Sequence, residues 1–131
     1  MRRAIPYFAL LLIASVLPLL AEEPPAATIA VCSAIKDRTC EGAGVKFPAN
    51  VGKLYAFSQA SNVPDKLVHV WFRGSQELGR QAIKSPAPKG TWRGWSNITV
   101  SLNMTGDYRV EARDANGTIL ASASFTIVKP D

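Results

Sequence analysis

The strongest constraint on the fold is an alternation of apolar and polar residues over short segments between residues 28 and 128, where no convincing amphipathic helix is found. Successive side chains of a strand point to opposite faces, so such a segment predicts a β-strand with one face toward a core. Glycine, proline and asparagine separate the segments and predict turns. Strands are predicted at 28–32, 45–47, 53–59, 66–73, 77–84, 98–102, 108–113 and 118–128.

Roughly seven or eight short strands in a domain of this size predict an all-β fold, an antiparallel β-sandwich of the immunoglobulin-like type. The segment 108–113 is predicted to point Tyr108, Val110 and Ala112 inward. A sandwich normally buries a tryptophan between its sheets, which favours a core position for Trp71. Asn116-Gly117 predicts a type I′ hairpin turn before the last strand.

The N-terminal residues predict export. Arg2 and Arg3 precede an almost wholly apolar run at 4–20, and Ala21 is followed by a polar, proline-containing segment. This order is typical of a signal peptide, here 1–21, followed by a tether at 22–27 and one β-sandwich domain at 28–129. The expected location is periplasmic or extracellular. The alternative is an uncleaved segment, 4–20, that anchors the domain to the inner membrane.

Charge and cysteine content narrow the classes of partner. The chain has a formal charge of +5, and removal of residues 1–21 takes away two arginines and leaves +3. The basic residues are scattered, so we expect no nucleic-acid partner, which would need a dense basic stripe.

Cys32 and Cys40 would both reach an oxidising compartment, where a disulfide between them is possible.

Three phrases in the second half of the chain carry a family resemblance: His-x-Trp-aromatic at 69–72, Trp-Arg-x-Trp-Ser at 92–96, and Thr-Gly-x-aromatic-Arg-Val-Glu at 105–111. With 36–38 and 54–57 upstream, they resemble a bacterial family catalogued as domain of unknown function 2914, over about 29–128. The resemblance implies an exported or membrane-linked β domain and no known activity. The chain departs from the family's usual pattern at Ser58, where Thr is usual, and at Asn97-Ile98, where Ser-Lys is usual.

Five residues are candidates for ligand binding: Trp92, Arg93, Trp95, His69 and Arg73. Aromatic rings beside hydrogen-bond donors suit a saccharide, and arginines suit a carboxylate or phosphate. Core packing is the alternative for the tryptophans. Trp92 and Trp95 differ in parity, so they share a face only if Gly94 makes a bulge. The candidate surface is then a turn at 92–95 with the edge formed by His69 and Arg73 beside it.

No catalytic site, metal site or cofactor is predicted. The single histidine has no serine or cysteine at motif spacing, and one histidine with two cysteines does not make a zinc site. We therefore expect a non-catalytic binding or accessory domain of the cell envelope, whose partner is an envelope protein or a cell-wall glycan. A carbohydrate-binding module is the alternative, and an enzyme of unrecognised type is a remote one.

Overall fold

The computed structural model describes residues 23–87 and 89–131. The predicted signal peptide at 1–21 lies outside the described residues. Ten strands follow one another: β1 Ala26–Cys32, β2 Ala34–Lys36, β3 Thr39–Glu41, β4 Lys46–Pro48, β5 Lys53–Ser61, β6 Lys66–Arg73, β7 Gln76–Lys84, β8 Thr91–Thr99, β9 Gly106–Arg113 and β10 Ile119–Val128. Within the described ranges, no helix is long and apolar enough to cross a membrane.

The predicted β-sandwich is confirmed. One sheet has three strands in the order β1-β5-β8, and the other has five in the order β4-β10-β9-β6-β7. All pairings within the two sheets are antiparallel except that of β4 with β10. The remaining strands, β2 and β3, form a separate hairpin.

That hairpin is one part of the fold that the sequence pattern did not predict. Asp37 and Arg38 form its turn with positive φ angles of 52° and 61°, the two left-handed residues that a type I′ turn requires. Because Asp-Arg lacks the usual asparagine or glycine, the turn has no strong sequence signal. A disulfide between Cys32 of β1 and Cys40 of β3, with Cα atoms 5.7 Å apart, ties the hairpin to the three-stranded sheet.

The core lies between the two sheets and follows from the alternation. Tyr108, Val110 and Ala112 of β9 are buried, as predicted, and Trp71 of β6 is 1% exposed. Tyr108 also donates its hydroxyl to the carbonyl of Met104 at 2.7 Å, which fixes the β8–β9 connection as a tyrosine corner does in immunoglobulin-like folds.

Several predicted boundaries were wrong. β8 covers 91–99 rather than 98–102, so the segment 92–95 is the middle of a strand and not a turn. Ala26 and Ala27, predicted as tether, pair with Ser61 and Ala60 and belong to β1.

The turn before β10 is also of another type than predicted. In the segment 114–117 only Gly117 has a positive φ, and the carboxylate of Asp114 accepts hydrogen bonds from the backbone N–H groups of Asn116 and Thr118. An aspartate that closes its own turn removes the need for a second left-handed residue.

Candidate binding surface

The structure does not bring the five predicted ligand-binding residues together. His69 and Trp92 lie between the sheets and are buried, Arg73 lies at the end of β6, and Arg93 and Trp95 lie on the outer face of the three-stranded sheet. The proposed site of all five is therefore wrong as a unit. Only Arg93 and Trp95 remain next to each other on an accessible face.

His69 is enclosed by hydroxyl groups of the opposite sheet. Its Nε2 lies 2.8 Å from the Ser58 hydroxyl and its Nδ1 lies 2.7 Å from the Ser96 hydroxyl, while Trp71 donates its indole N–H to Ser96 at 3.3 Å. Either neutral tautomer of the imidazole satisfies all three contacts, because each serine hydroxyl can donate or accept, and Ser96 accepts from Trp71 in both cases. Burial lowers the pKa of the imidazole from 6.5 to about 4, so the ring is neutral at pH 7.

This polar cluster explains the sequence signature. His69 and Trp71 come from the His-x-Trp phrase, and Ser96 ends the Trp-Arg-x-Trp-Ser phrase. Ser58 occupies the position where threonine is usual, and it keeps the hydroxyl group that His69 needs. His69 and Ser58 are both 0% exposed, so this part of the signature joins the two sheets, whereas Arg93 and Trp95 of the second phrase lie on the outer face.

Trp92 and Arg73 also contact other parts of the fold instead of forming a binding surface. The β5–β8 register runs without a shift from Thr91 to Thr99, so Gly94 makes no bulge and Trp92 faces the core, opposite to Trp95. Arg73 donates to the carbonyl of Thr105 at 2.6 Å and lies 5.6 Å from the centre of the Tyr108 ring. It supports the loop before β9 and lies away from Trp95.

The outer face of the three-stranded sheet carries a different cluster, which we call the aromatic–arginine surface and define as Tyr55, Phe57, Trp95, Arg38 and Arg93. Phe57 and Trp95 are cross-strand partners whose rings are nearly parallel (13°) with centres 6.2 Å apart. The Arg38 guanidinium lies 5.5 Å from the centre of the Trp95 ring. The three aromatic residues are half-buried and the two arginines are exposed.

The β2–β3 hairpin delivers Arg38 to this surface. Its turn projects over the sheet, and Arg93 donates from Nη1 to the backbone carbonyl of Arg38 at 3.1 Å. The arrangement therefore depends on the disulfide of Cys40 and on the left-handed conformation of Arg38. Tyr55 and Phe57 lie on the face of β5 opposite to Leu54, and nothing in the sequence placed Arg38 beside Trp95.

The two arginines of this surface differ from Arg80, Arg109 and Arg113 of the five-stranded sheet, which form ion pairs. Glu111 binds both Arg109 (3.0 Å) and Arg113 (2.6 Å), and Glu77 binds Arg80 (2.7 Å). Burial raises the pKa of Glu111, but hydrogen bonds from Arg113 and Arg109 outweigh it and hold the pKa low. Among the described residues, neither Arg38 nor Arg93 has a carboxylate partner in an ion pair. Their charges are available to a ligand.

Comparison with known proteins supports the family resemblance and the fold. Residues 64–127 match the model of a family described as protein of unknown function (DUF2914), which confirms the resemblance over that region. No curated protein matches the chain. In the part of the chain that the structure describes, no group of three or more histidine, cysteine or acidic residues is placed to hold a metal ion.

Two similar solved structures are each less than 25% identical to this chain, and the first of them supports the fold alone. A β-glucosidase from Kluyveromyces marxianus in complex with glucose matches with 10% identity and a TM-score of 0.51, over 84% of this chain and 14% of that one. The MHC-like protein MILL2 matches with 15% identity and a TM-score of 0.41, over 90% of this chain and 39% of that one. The chain thus spans only a small part of the first of these proteins.

Proposed function

We propose that this DUF2914-like domain is a non-catalytic binding module of the cell envelope, and that its ligand docks on the aromatic–arginine surface. The observation that carries the proposal is the pair of parallel, half-buried rings of Phe57 and Trp95, bordered by two arginines without acidic partners. Tryptophan, tyrosine and arginine are the residues that dominate binding energy at protein interfaces. A partner protein is the ligand that this composition favours.

Two further features support this assignment. The apolar run at 4–20 and the disulfide of Cys32 and Cys40 both suit an exported domain. The titratable side chain best suited to acid–base catalysis, His69, is fully buried against hydroxyl groups and is neutral at physiological pH. A substrate on the surface has no access to it.

Site-specific photocrosslinking tests the proposal. A photoreactive residue at Gln59, exposed on the same outer face, should form a discrete adduct in envelope extract that excess unlabelled domain abolishes. The same residue at Ser122, on the outer face of the five-stranded sheet, is the matched control and should form none.

Competitor variants locate the contact. Trp95→Ala and Arg38→Gly domains should fail to compete for the adduct, and Arg80→Ala should compete as well as the unchanged domain. Arg38→Gly is informative because glycine adopts a φ of 61° without strain, so a loss of binding would not reflect a loss of folding. Equal competition by all variants would exclude this surface as the binding site.

A second proposal is carbohydrate binding by the same surface. Ring faces beside arginine donors favour it, although Trp92, His69 and Arg73 take no part. Soluble peptidoglycan fragments should then change Trp95 fluorescence in a saturable way, and Trp95→Phe should abolish the response. A fluorescence titration without saturation would reject the saccharide and leave the protein partner.

A further inference from the structure

One edge of β8 faces away from β5, and no other strand pairs with it through backbone hydrogen bonds, although β7 lies nearby. β8 pairs with β5 from Thr91 to Thr99 and is the last strand of its sheet. In an antiparallel ladder, the peptide groups of alternate residues point to opposite sides of the strand. The N–H and C=O groups of Asn97 both bind a side chain of β7, so they point away from β5. By the same alternation, the peptide groups of Trp95 and Arg93 also point to the free edge.

A single side chain takes the place of a strand at this edge. The Gln81 amide donates from Nε2 to the carbonyl of Asn97 at 2.7 Å, and its Oε1 accepts from the N–H of Asn97 at 3.2 Å. A primary amide presents one donor and one acceptor side by side, as a peptide group of an adjacent strand does. Gln81 therefore occupies the position of one peptide group of an absent fourth strand.

A cleft lies beside the same edge. It has a volume of about 410 Å³ and lies between β7 and β8, where Trp71, Leu78, Ile98 and Met104 provide apolar surface. Side chains that point inward from a strand next to residues 97–99 of β8 would enter this cleft. Side chains that point outward would lie next to Trp95 and Arg93, because paired residues of an antiparallel ladder share a face.

The edge strand β7 of the five-stranded sheet differs. β7 carries a register shift opposite Trp71 and Phe72, and charged residues occur along it at Glu77, Arg80 and Lys84. Bulges and charges of this kind are the usual protection of an edge strand against pairing. The β5–β8 ladder has no register shift over its whole length.

We infer that β8 accepts an extended, acidic peptide segment of the partner protein as a fourth strand of its sheet. The inference rests on the proposed binding function and specifies how the partner binds: main-chain hydrogen bonds to Arg93 and Trp95, apolar side chains in the cleft, and acidic side chains toward Arg38 and Arg93. The unpaired charges of the two arginines complement the acidic side chains, and the peptide displaces the Gln81 amide from Asn97.

Hydrogen exchange of the free domain tests the geometry. The amides of Arg93 and Trp95 should exchange at least tenfold faster than those of Trp92, Gly94 and Ser96, which face β5. Gln81→Ala should accelerate exchange at Asn97, whereas Gln76→Ala, on the same strand but paired with Arg73, should not. Equal protection of the five amides at residues 92–96 of β8 would overturn the inference.

A defined peptide tests the binding mode. An end-blocked decapeptide of alternating aspartate and valine, at millimolar concentration, should shift the amide resonances of Arg93 and Trp95 and slow their exchange at least tenfold. The same peptide N-methylated at every aspartate should do neither, because these residues would supply the main-chain hydrogen bonds. Absence of amide protection overturns strand addition. If the photocrosslink at Gln59 persists in that case, the binding surface stands and its partner binds through side chains alone.

Discussion

At the scale of single residues, the buried imidazole of His69 links the two sheets and makes stability depend on pH. The folded domain keeps the imidazole neutral down to a pKa of about 4, whereas the unfolded chain takes up a proton near 6.5. The unfolded state therefore binds more protons between these values, and the free energy of unfolding should fall by about 3 kcal/mol as the pH falls from 7 to 4. Urea unfolding at a series of pH values measures this.

The control for this prediction is direct because the chain has one histidine. An NMR titration of the folded domain should place the His69 midpoint near pH 4. His69→Gln should be less stable at pH 7 but should lose less stability on acidification between pH 6.5 and 4.5. A midpoint near 6.5 in the folded domain would mean that the imidazole is hydrated.

Gly94 is required by packing and not by backbone conformation. A β-carbon at this position would lie 2.7 Å from Cγ2 of Ile83 and 3.3 Å from the Trp92 ring. Gly94→Ala should therefore lower the free energy of unfolding by about 1–3 kcal/mol. Gly79→Ala is the matched control, because a β-carbon there meets nothing within 4 Å.

A double-mutant cycle identifies the cause. If the contact with Ile83 is responsible, Ile83→Ala combined with Gly94→Ala should cost less than the sum of the two single changes. Additive costs would assign the effect to the Trp92 ring or to the backbone instead.

At the scale of elements, the β2–β3 hairpin holds Arg38 at the aromatic–arginine surface through one covalent bond. The disulfide closes a loop between residues 8 apart, so its reduction should lower the free energy of unfolding by about 2.5 kcal/mol. It should also change the fluorescence of Trp95, as the guanidinium of Arg38 leaves the ring. A Cys32→Ala/Cys40→Ala variant should respond to reductant in neither measurement.

At the scale of the whole molecule, the three tryptophans lie in three environments. Trp71 is 1% exposed and Trp92 is 6% exposed, both between the sheets, while Trp95 is half-buried on the outer face. Acrylamide should therefore quench one component of the emission, and Trp95→Phe should remove that component. Quenching of the remaining emission in Trp95→Phe would contradict the arrangement of the two sheets.

Strand positions and the sandwich were predictable because they depend on local periodicity. The alternation of 66–73 gave the bounds of β6 correctly, and that of 108–113 gave the buried face of β9. The position of β8 was missed, since tryptophans on both of its faces conceal the alternation at 92–95. The hairpin turn at Asp37 and Arg38 was missed because its left-handed conformation is imposed by the surrounding contacts.

The sequence by itself determined the fold class, most strand positions and the expectation of export, because hydrophobic periodicity and the N-terminal charge pattern are properties of neighbouring residues. Only the tertiary structure decided which aromatic residues are accessible. It placed His69 and Trp92 between the sheets. It also brought the Arg38 guanidinium to the Trp95 ring, although the two residues are 57 positions apart in the chain. Such proximity depends on which strands pair and on which way the hairpin folds, and neither is encoded by spacing along the chain.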